Sequence, residues 1–377
     1  MEHIAYLDNS STTKPSKKAV QYITRALESN WGNPSSLHRI GMEAEIALNE
    51  ARESVAHTVN ARADEIFFTG SGTEANNTAL LSVLKAKSRG GRIITTAIEH
   101  PSVLETAKRL EAYGFEIVCL KPDSNGIVPI TELENALTDD TLLVSMMLVN
   151  NETGAIQPVE KAAALTRHIA PLALFHCDAV QGYGKLSVNV KRLGVDLLSV
   201  SGHKIHGPKG IGFLYCKKGV HISPLITGGG QERGMRSGTE STPLIMGLMG
   251  AAEELPKPET QFKIQQELFD YTRDRLLKIG AIINSPEGCL PYILNISLVG
   301  YRSETLLHFL ESRKVFVSSG SACAKGHGSY VLNEMGLEPK RVDSALRISF
   351  SRYNTKEDAD MLVSALEEAK KQLRKAN

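Results

Sequence analysis

The chain has 377 residues, and its 43 lysines and arginines nearly balance its 42 aspartates and glutamates. That length suits one large domain with a smaller companion, and a balanced surface offers no field to recruit nucleic acid or an anionic membrane. No apolar run approaches a membrane span, and Met1-Glu2-His3-Ile4 lacks a charged-then-apolar leader pattern, so a cytoplasmic protein is expected.

In chain order, residues 17–29 and 42–59 have helical spacing. From about residue 65 to 215, strand-like runs alternate with helical patterns, the signature of a mostly parallel sheet wrapped by helices. The runs cover 65–69, 92–96, 116–120, 141–148, 172–177, 195–201 and 212–215, with a helix expected from about 74 to 87. The pattern breaks at Pro256-Lys257-Pro258. Beyond it, helices are expected at 261–278, 303–311 and 355–373, with strands at 294–298 and 344–350. The expected fold is α/β. A large domain over 15–255 carries a mostly parallel seven-stranded sheet, and 1–14 with 256–377 form a smaller α+β domain.

Several polar residues stand just past these runs, where parallel sheets bind ligands. Gly70-Ser71-Gly72-Thr73-Glu74 is a small-residue turn entering a helix, suited to cradling an anion on backbone N–H groups. It is neither GxGxxG nor a Walker loop, so nucleotide readings lose support. His100 follows 92–96, Asn150 and Asn151 follow 141–148, Asp178 and Gln181 follow 172–177, and Ser201-Gly202-His203-Lys204 ends 195–201. An isolated lysine there would be a solvated loop residue. In this company it loses water, its pKa falls, and its amine is freed to condense with an aldehyde. Pyridoxal phosphate needs an anion cradle, a lysine, a carboxylate for the pyridine nitrogen and an aromatic face over the ring. Thr73 beside Gly72, Lys204, Asp178 and His100 meet those needs in turn, and Asn151 and Gln181 are placed to bond the ring oxygen.

Three longer segments carry a resemblance: Asp178-Ala179-Val180-Gln181, Ser201-Gly202-His203-Lys204-Ile205-His206-Gly207-Pro208-Lys209-Gly210, and Gly228-Gly229-Gly230-Gln231-Glu232-Arg233-Gly234-Met235-Arg236-Ser237-Gly238-Thr239. With Gly32-Asn33-Pro34-Ser35-Ser36-Leu37-His38, Gly72-Thr73-Glu74-Ala75-Asn76-Asn77 and Ser318-Ser319-Gly320-Ser321-Ala322-Cys323, the chain resembles cysteine desulfurases of the NifS/IscS type, class V, fold-type I enzymes that use pyridoxal phosphate. The resemblance implies that Lys204 holds the cofactor, Asp178 faces the pyridine nitrogen and His100 stacks on the ring. It also implies that Gln181 and Asn151 contact the ring and that Gly72, Thr73, Ser201 and His203 serve the phosphate. Thr239 would reach the phosphate of the other subunit, which implies a homodimer. Arg347, with Asn33, would bind the carboxylate end of L-cysteine, a task that suits a bidentate guanidinium.

The cysteines Cys119, Cys177, Cys216, Cys289 and Cys323 lack the spacing of a zinc site or disulfide framework, and no metal is expected. Cys119, Cys177 and Cys216 lie in or beside strand-like runs and read as small buried thiols. Cys323 stands in a run of small residues that predicts a mobile surface loop, with Lys325 and His327 near enough to favour its thiolate. The resemblance makes Cys323 the acceptor of substrate sulfur, catalytic with Lys204 and His100, and the donor of that sulfur to an acceptor protein. Only five residues, 324–328, separate Cys323 from Ser329, so an iron–sulfur scaffold, a thio-tRNA protein or a thiamine-pathway carrier all stand open as acceptor. Selenocysteine lyase or another class V lyase or aminotransferase is the alternative, using the same crevice without Cys323. A non-catalytic sulfur carrier is the reading from a different class, and every position needed for chemistry holds a competent residue.

Overall fold

The computed structural model describes residues 3–319 and 328–375, with side chains throughout except 86–89. Its strands, in chain order, are β1 (Ala5–Tyr6), β2 (Ile66–Thr69), β3 (Arg92–Thr96), β4 (Glu116–Leu120), β5 (Thr141–Ser145), β6 (Leu174–Asp178), β7 (Leu197–Ser201), β8 (Gly212–Cys216), β9 (Ile282–Ile283), β10 (Ile293–Ser297), β11 (Val315–Phe316) and β12 (Ala345–Ser349). The expected seven runs form one seven-stranded sheet in the order β2-β8-β7-β6-β5-β3-β4. Neighbours from β7 through β4 pair in parallel, and β8 alone opposes the rest, being antiparallel to both β7 and β2.

Branched and aromatic residues make these strands, and successive side chains point to opposite faces. Phe68, Val144, Leu198 and Phe213 enter one core, while their neighbours Phe67, Leu143, Leu197 and Leu214 enter the other. Helices cover both faces, so β6, β7 and β8 show almost no exposed position and read as continuous apolar runs. Polar residues interrupt them at a few positions. His176, mid-β6, bonds Ser145 Oγ on β5 at 2.8 Å and Ser199 Oγ on β7 at 2.9 Å. Burial pushes its pKa down to about 3, so a neutral imidazole ties three adjacent strands.

The remaining strands form a separate layer. β12-β10-β9 is antiparallel, and β1 pairs in parallel with β11. The helices Pro258–Lys278, Ser303–Ser312 and Lys356–Gln372 bury Phe269, Leu310 and Leu366 with Leu7, Leu294 and Leu346 in a core of their own. Three expectations shift in detail. Cys119, expected as a buried thiol, is exposed, because β4 is the edge strand of the sheet. Pro258 does not end structure but opens a helix, at the position where a missing N–H costs nothing. The helix expected over 74–87 begins at Gly72, stops at Leu81 and continues as 3-10 turns over Ser82–Arg89, toward the left-handed Gly90. Ser82 and β-branched Val83 are weaker helix formers there. Among the described residues no helix is long and apolar enough to cross a membrane.

Candidate active site

A cavity of about 580 Å³ opens past the C-terminal ends of β2, β3, β5, β6 and β7, a size suited to a small molecule. Ser71, Gly72 and Thr73 leave β2, His100 leaves β3, Asn151 and Glu152 follow β5, Asp178 and Gln181 end β6, and Ser201, His203 and Lys204 end β7. The N-terminal Ser10 and Ser11, with Arg347 of β12, line it from the second layer. Because six strands run one way, their ends share an edge, and the polar residues of five segments meet there.

The turn after β2 starts a helix at once. Ser71 caps it, accepting from the Glu74 N–H at 3.1 Å, and Gly72 and Thr73 occupy the first turn. A Cβ on Gly72 would lie 3.0 Å from Val180 Cγ2 and 3.1 Å from Ser201 Cβ, so a bare backbone packs against both loops. Asp178 is buried and held by two donors, Asn76 Nδ2 at 2.7 Å and the Val180 N–H at 2.9 Å. Asn76 Oδ1 has no partner among the described residues. Behind Asp178 lies Glu99. Burial first, then the Asp178 charge, pushes its pKa up to about 8, so Glu99 keeps its proton at neutral pH.

His100 caps the helix Pro101–Glu111, its Nδ1 accepting from the Ser102 N–H at 3.1 Å. Nδ1 thus being an acceptor, the proton of the neutral ring sits on Nε2. Burial lowers the His100 pKa, Lys204 lowers it further and Asp178 opposes both. Lys204 ends the turn after β7, its Nζ donating to the Ser10 carbonyl and to the Ser11 carbonyl at 2.8 Å. Burial and then the Arg347 charge bring its pKa down to about 8, against Asp8 and Asp178. A free amine is therefore available near neutrality. His203, beside Thr12 Oγ1 at 3.1 Å, is pushed down to about 4 by burial and then by Lys204 and Lys209, and stays neutral.

At the second layer, Arg347 donates from Nη1 to the Asn151 carbonyl at 3.0 Å and from Nη2 to Asp8 Oδ1 at 3.0 Å and Ser11 Oγ at 2.6 Å. Its Nε and Asn151 Oδ1 are buried with no partner among the described residues. Glu152 is buried and accepts from Ser329 Oγ; burial pushes its carboxyl up to about 7, although that bond and Arg347 pull the other way.

A family model described as Aminotransferase class-V matches residues 5–362. The cysteine desulfurase IscS of Clostridium botulinum (strain Kyoto / Type A2) is 41% identical over 384 aligned residues, spanning 99% of this chain and 96% of its own. The chain belongs to the class-V aminotransferase family, among its cysteine desulfurases. A solved NifS-like protein superposes with a TM-score of 0.93 at 39% identity, covering 98% of this chain and all of its own. SspA, solved in complex with cysteine, has a TM-score of 0.83 at 33% identity over 93% of this chain and all of its own.

The class-V enzymes work with pyridoxal phosphate, and the cavity of this cysteine desulfurase suits that group. It offers a helix start where a Cβ at Gly72 would crowd Val180 and Ser201, a buried carboxylate held in one orientation, an amine depressed to about 8, and Asn151 Oδ1, without a partner among the described residues. Gly72, Thr73, His100, Asn151, Asp178, Gln181, Ser201, His203, Lys204 and Arg347 all line it. Asn33 and Thr239 do not, and both are exposed. Cys323, Lys325 and His327 lie outside the described residues. Sequence reasoning missed Asp8, Ser10 and Ser11, which follow β1, too short a strand to carry a periodic signal. It missed Asn76 as well, one helical turn past Gly72, which a count along that helix would have placed on the cavity side. Glu152 adjoins Asn151, and its burial is visible only in the fold.

Proposed function

We propose that this protein is a cytoplasmic, homodimeric cysteine desulfurase. It would bind pyridoxal phosphate in the cavity, take sulfur from L-cysteine onto Cys323, release L-alanine, and pass the sulfur to an acceptor protein for iron–sulfur, thio-tRNA or thiamine synthesis. The observation that carries the reading is the meeting of Lys204, Asp178, His100, Thr73 and Arg347 in one cavity.

In this reading the first turn after Ser71, with Thr73, Ser201 and His203, receives the phosphate; Asp178 keeps the pyridine nitrogen protonated, and His100 covers the ring. Bound there, pyridoxal phosphate supplies an aldehyde to hold the substrate amino group and a ring that draws electron density from Cα. Lys204, with its pKa near 8, is suited to take a proton from Cα and return one. His100, half-buried, with its pKa lowered and the proton of its neutral ring on Nε2, is suited to exchange a proton at that atom. Arg347 has an Nε without a partner among the described residues and two Nη groups already oriented by Asp8, Ser11 and Asn151, which supports its binding of the substrate carboxylate. The Cys323 thiol accepts the sulfur as a persulfide while the carbon skeleton leaves as alanine, so one sulfur atom moves and no external electrons are needed. The described residues on either side support that role. Ser318 pairs with the Arg347 backbone, and Ser329 bonds Glu152, both partners lining the cavity.

The separate core under β9, β10 and β12 supports a division into a large domain over 15–255 and a small one made of 1–14 and 256–377. Thr239 and Asn33, exposed and outside the cavity, support a shared site in which they serve the second copy; Trp31 and Leu37, flanking Asn33, are exposed apolar residues that a second copy would cover. The reading is tested with Cys323→Ala. That protein is expected to keep its pyridoxal phosphate absorption and to hold no cysteine-derived persulfide sulfur, and retention of sulfur at the wild-type level would overturn the assignment.

A further inference from the structure

Lys185 is buried, 8% exposed, and no carboxylate of the described residues pairs with it. Its ammonium donates to Gln181 Oε1 at 3.2 Å and stands 5.7 Å from the Tyr292 ring centroid. The charges that face it are Lys204 and Arg347, and His206 and Arg352 line the same small cavity of about 30 Å³ that Lys185 shares with Lys204. Burial first, then the Lys204 and Arg347 charges, brings its pKa down to about 7. A lysine is an unfavourable filler for such a place. Something must use its donor.

Gln181 uses it. The residues lie four apart in a turn held by Tyr183 N–H to Ala179 O at 2.8 Å and Lys185 N–H to Gly182 O at 3.1 Å. Gly184, at φ +74°, closes that turn where a Cβ would come 2.6 Å from Leu255 Cδ2. An amide side chain has one donor end and one acceptor end. The Ser10 carbonyl takes the nitrogen end of Gln181 at 2.9 Å, and Lys185 takes the oxygen end. The same Ser10 carbonyl seats the Lys204 amine.

We propose that Lys185 is a positioning residue of this site: it fixes the Gln181 amide so that a nitrogen donor, rather than an oxygen, faces the cavity beside Lys204. This rests on the cofactor reading above, in which Gln181 donates to the ring oxygen. Removing the ammonium leaves Gln181 Oε1 buried without a donor and frees the amide to turn away. The ring oxygen then loses a hydrogen bond that favours its anionic form, so the pH at which the visible absorption of the holoprotein titrates rises.

The experiment titrates that absorption in holoprotein carrying Lys185→Met, Gln181→Leu or both, with Lys185→Gln as a variant that keeps an N–H donor without the charge. The expected result is a midpoint raised by about half a pH unit or more in Lys185→Met, a smaller rise in Lys185→Gln, and no further effect of Lys185→Met once Gln181 is leucine. A wild-type midpoint in Lys185→Met overturns the inference. So does a shift that persists undiminished in the Gln181→Leu background, because the lysine would then act by charge alone. If Lys185→Met does not fold, Lys185→Gln and its double variant with Gln181→Leu give the same comparison, with the same overturning result. Wild-type protein that shows no visible absorption with pyridoxal phosphate would instead sink the cofactor reading itself.

Discussion

At the residue scale, the site works by desolvation. Lys204, His100 and His203 are all held toward their neutral forms, and in each case burial is the largest cause. The same physics acts against charge on the carboxyls, raising Glu99 to about 8 and Glu152 to about 7. Glu152 is the more informative because it lines the cavity and receives Ser329 Oγ. Its folded pKa lies above the unfolded carboxyl value, so the stability it contributes is fully present below the ordinary carboxyl range and is lost as pH rises through about 7. Glu152→Gln keeps an acceptor for Ser329 and cannot ionise. Its melting temperature relative to wild type is expected to rise by roughly 1–3 °C between about pH 5 and pH 8. A difference that stays flat with pH, measured by calorimetry, would contradict this account of Glu152.

At the scale of elements, close approach decides the geometry. Gly212 opens β8, and a Cβ there would fall 2.4 Å from the Val200 carbonyl oxygen and 3.0 Å from the Ser71 carbonyl carbon. One glycine thus lets β8 pack on β7 and lets the turn carrying Gly72 and Thr73 sit on top of them. Gly212→Ala is expected to cost about 1–3 kcal/mol and to weaken pyridoxal phosphate retention, read by thermal melting and by dialysis; a protein unchanged in both would contradict the role given to that contact. Elements of this kind explain what was legible in the sequence. The run 92–96 coincides with β3 because continuous branched residues in a doubly covered strand have few alternatives, while 116–120 coincides with β4, a partly exposed edge strand. The residues just past the strand ends were legible for the same reason, since a parallel sheet places them on one edge. β1, β9 and β11, two residues each, carry no periodicity, and Asp8, Ser10 and Ser11 beyond β1 were therefore out of reach. Lys185 was hidden differently: its burial depends on Tyr292 and Leu255, distant in the chain.

At the scale of the whole molecule, the cavity takes Arg347 from the second layer and the residues past the sheet edge from the first, so relative placement of the two layers sets the distance between Arg347 and Lys204. Thr239 tests whether a second copy completes the site. Chains carrying Lys204→Ala and Thr239→Val, refolded together, are expected to give more activity than the two proteins refolded apart, since one site of each mixed dimer regains both Lys204 and the partner's Thr239. No gain over the separate proteins would contradict a shared site. The central claim, that sulfur passes through Cys323, is tested most directly by alanine released from L-cysteine, with and without a thiol reductant, in wild type and Cys323→Ala. The account predicts sustained alanine formation by wild type in the presence of reductant, a single limited burst without it, and none sustained by Cys323→Ala. Alanine formed at equal rates by both proteins would contradict it.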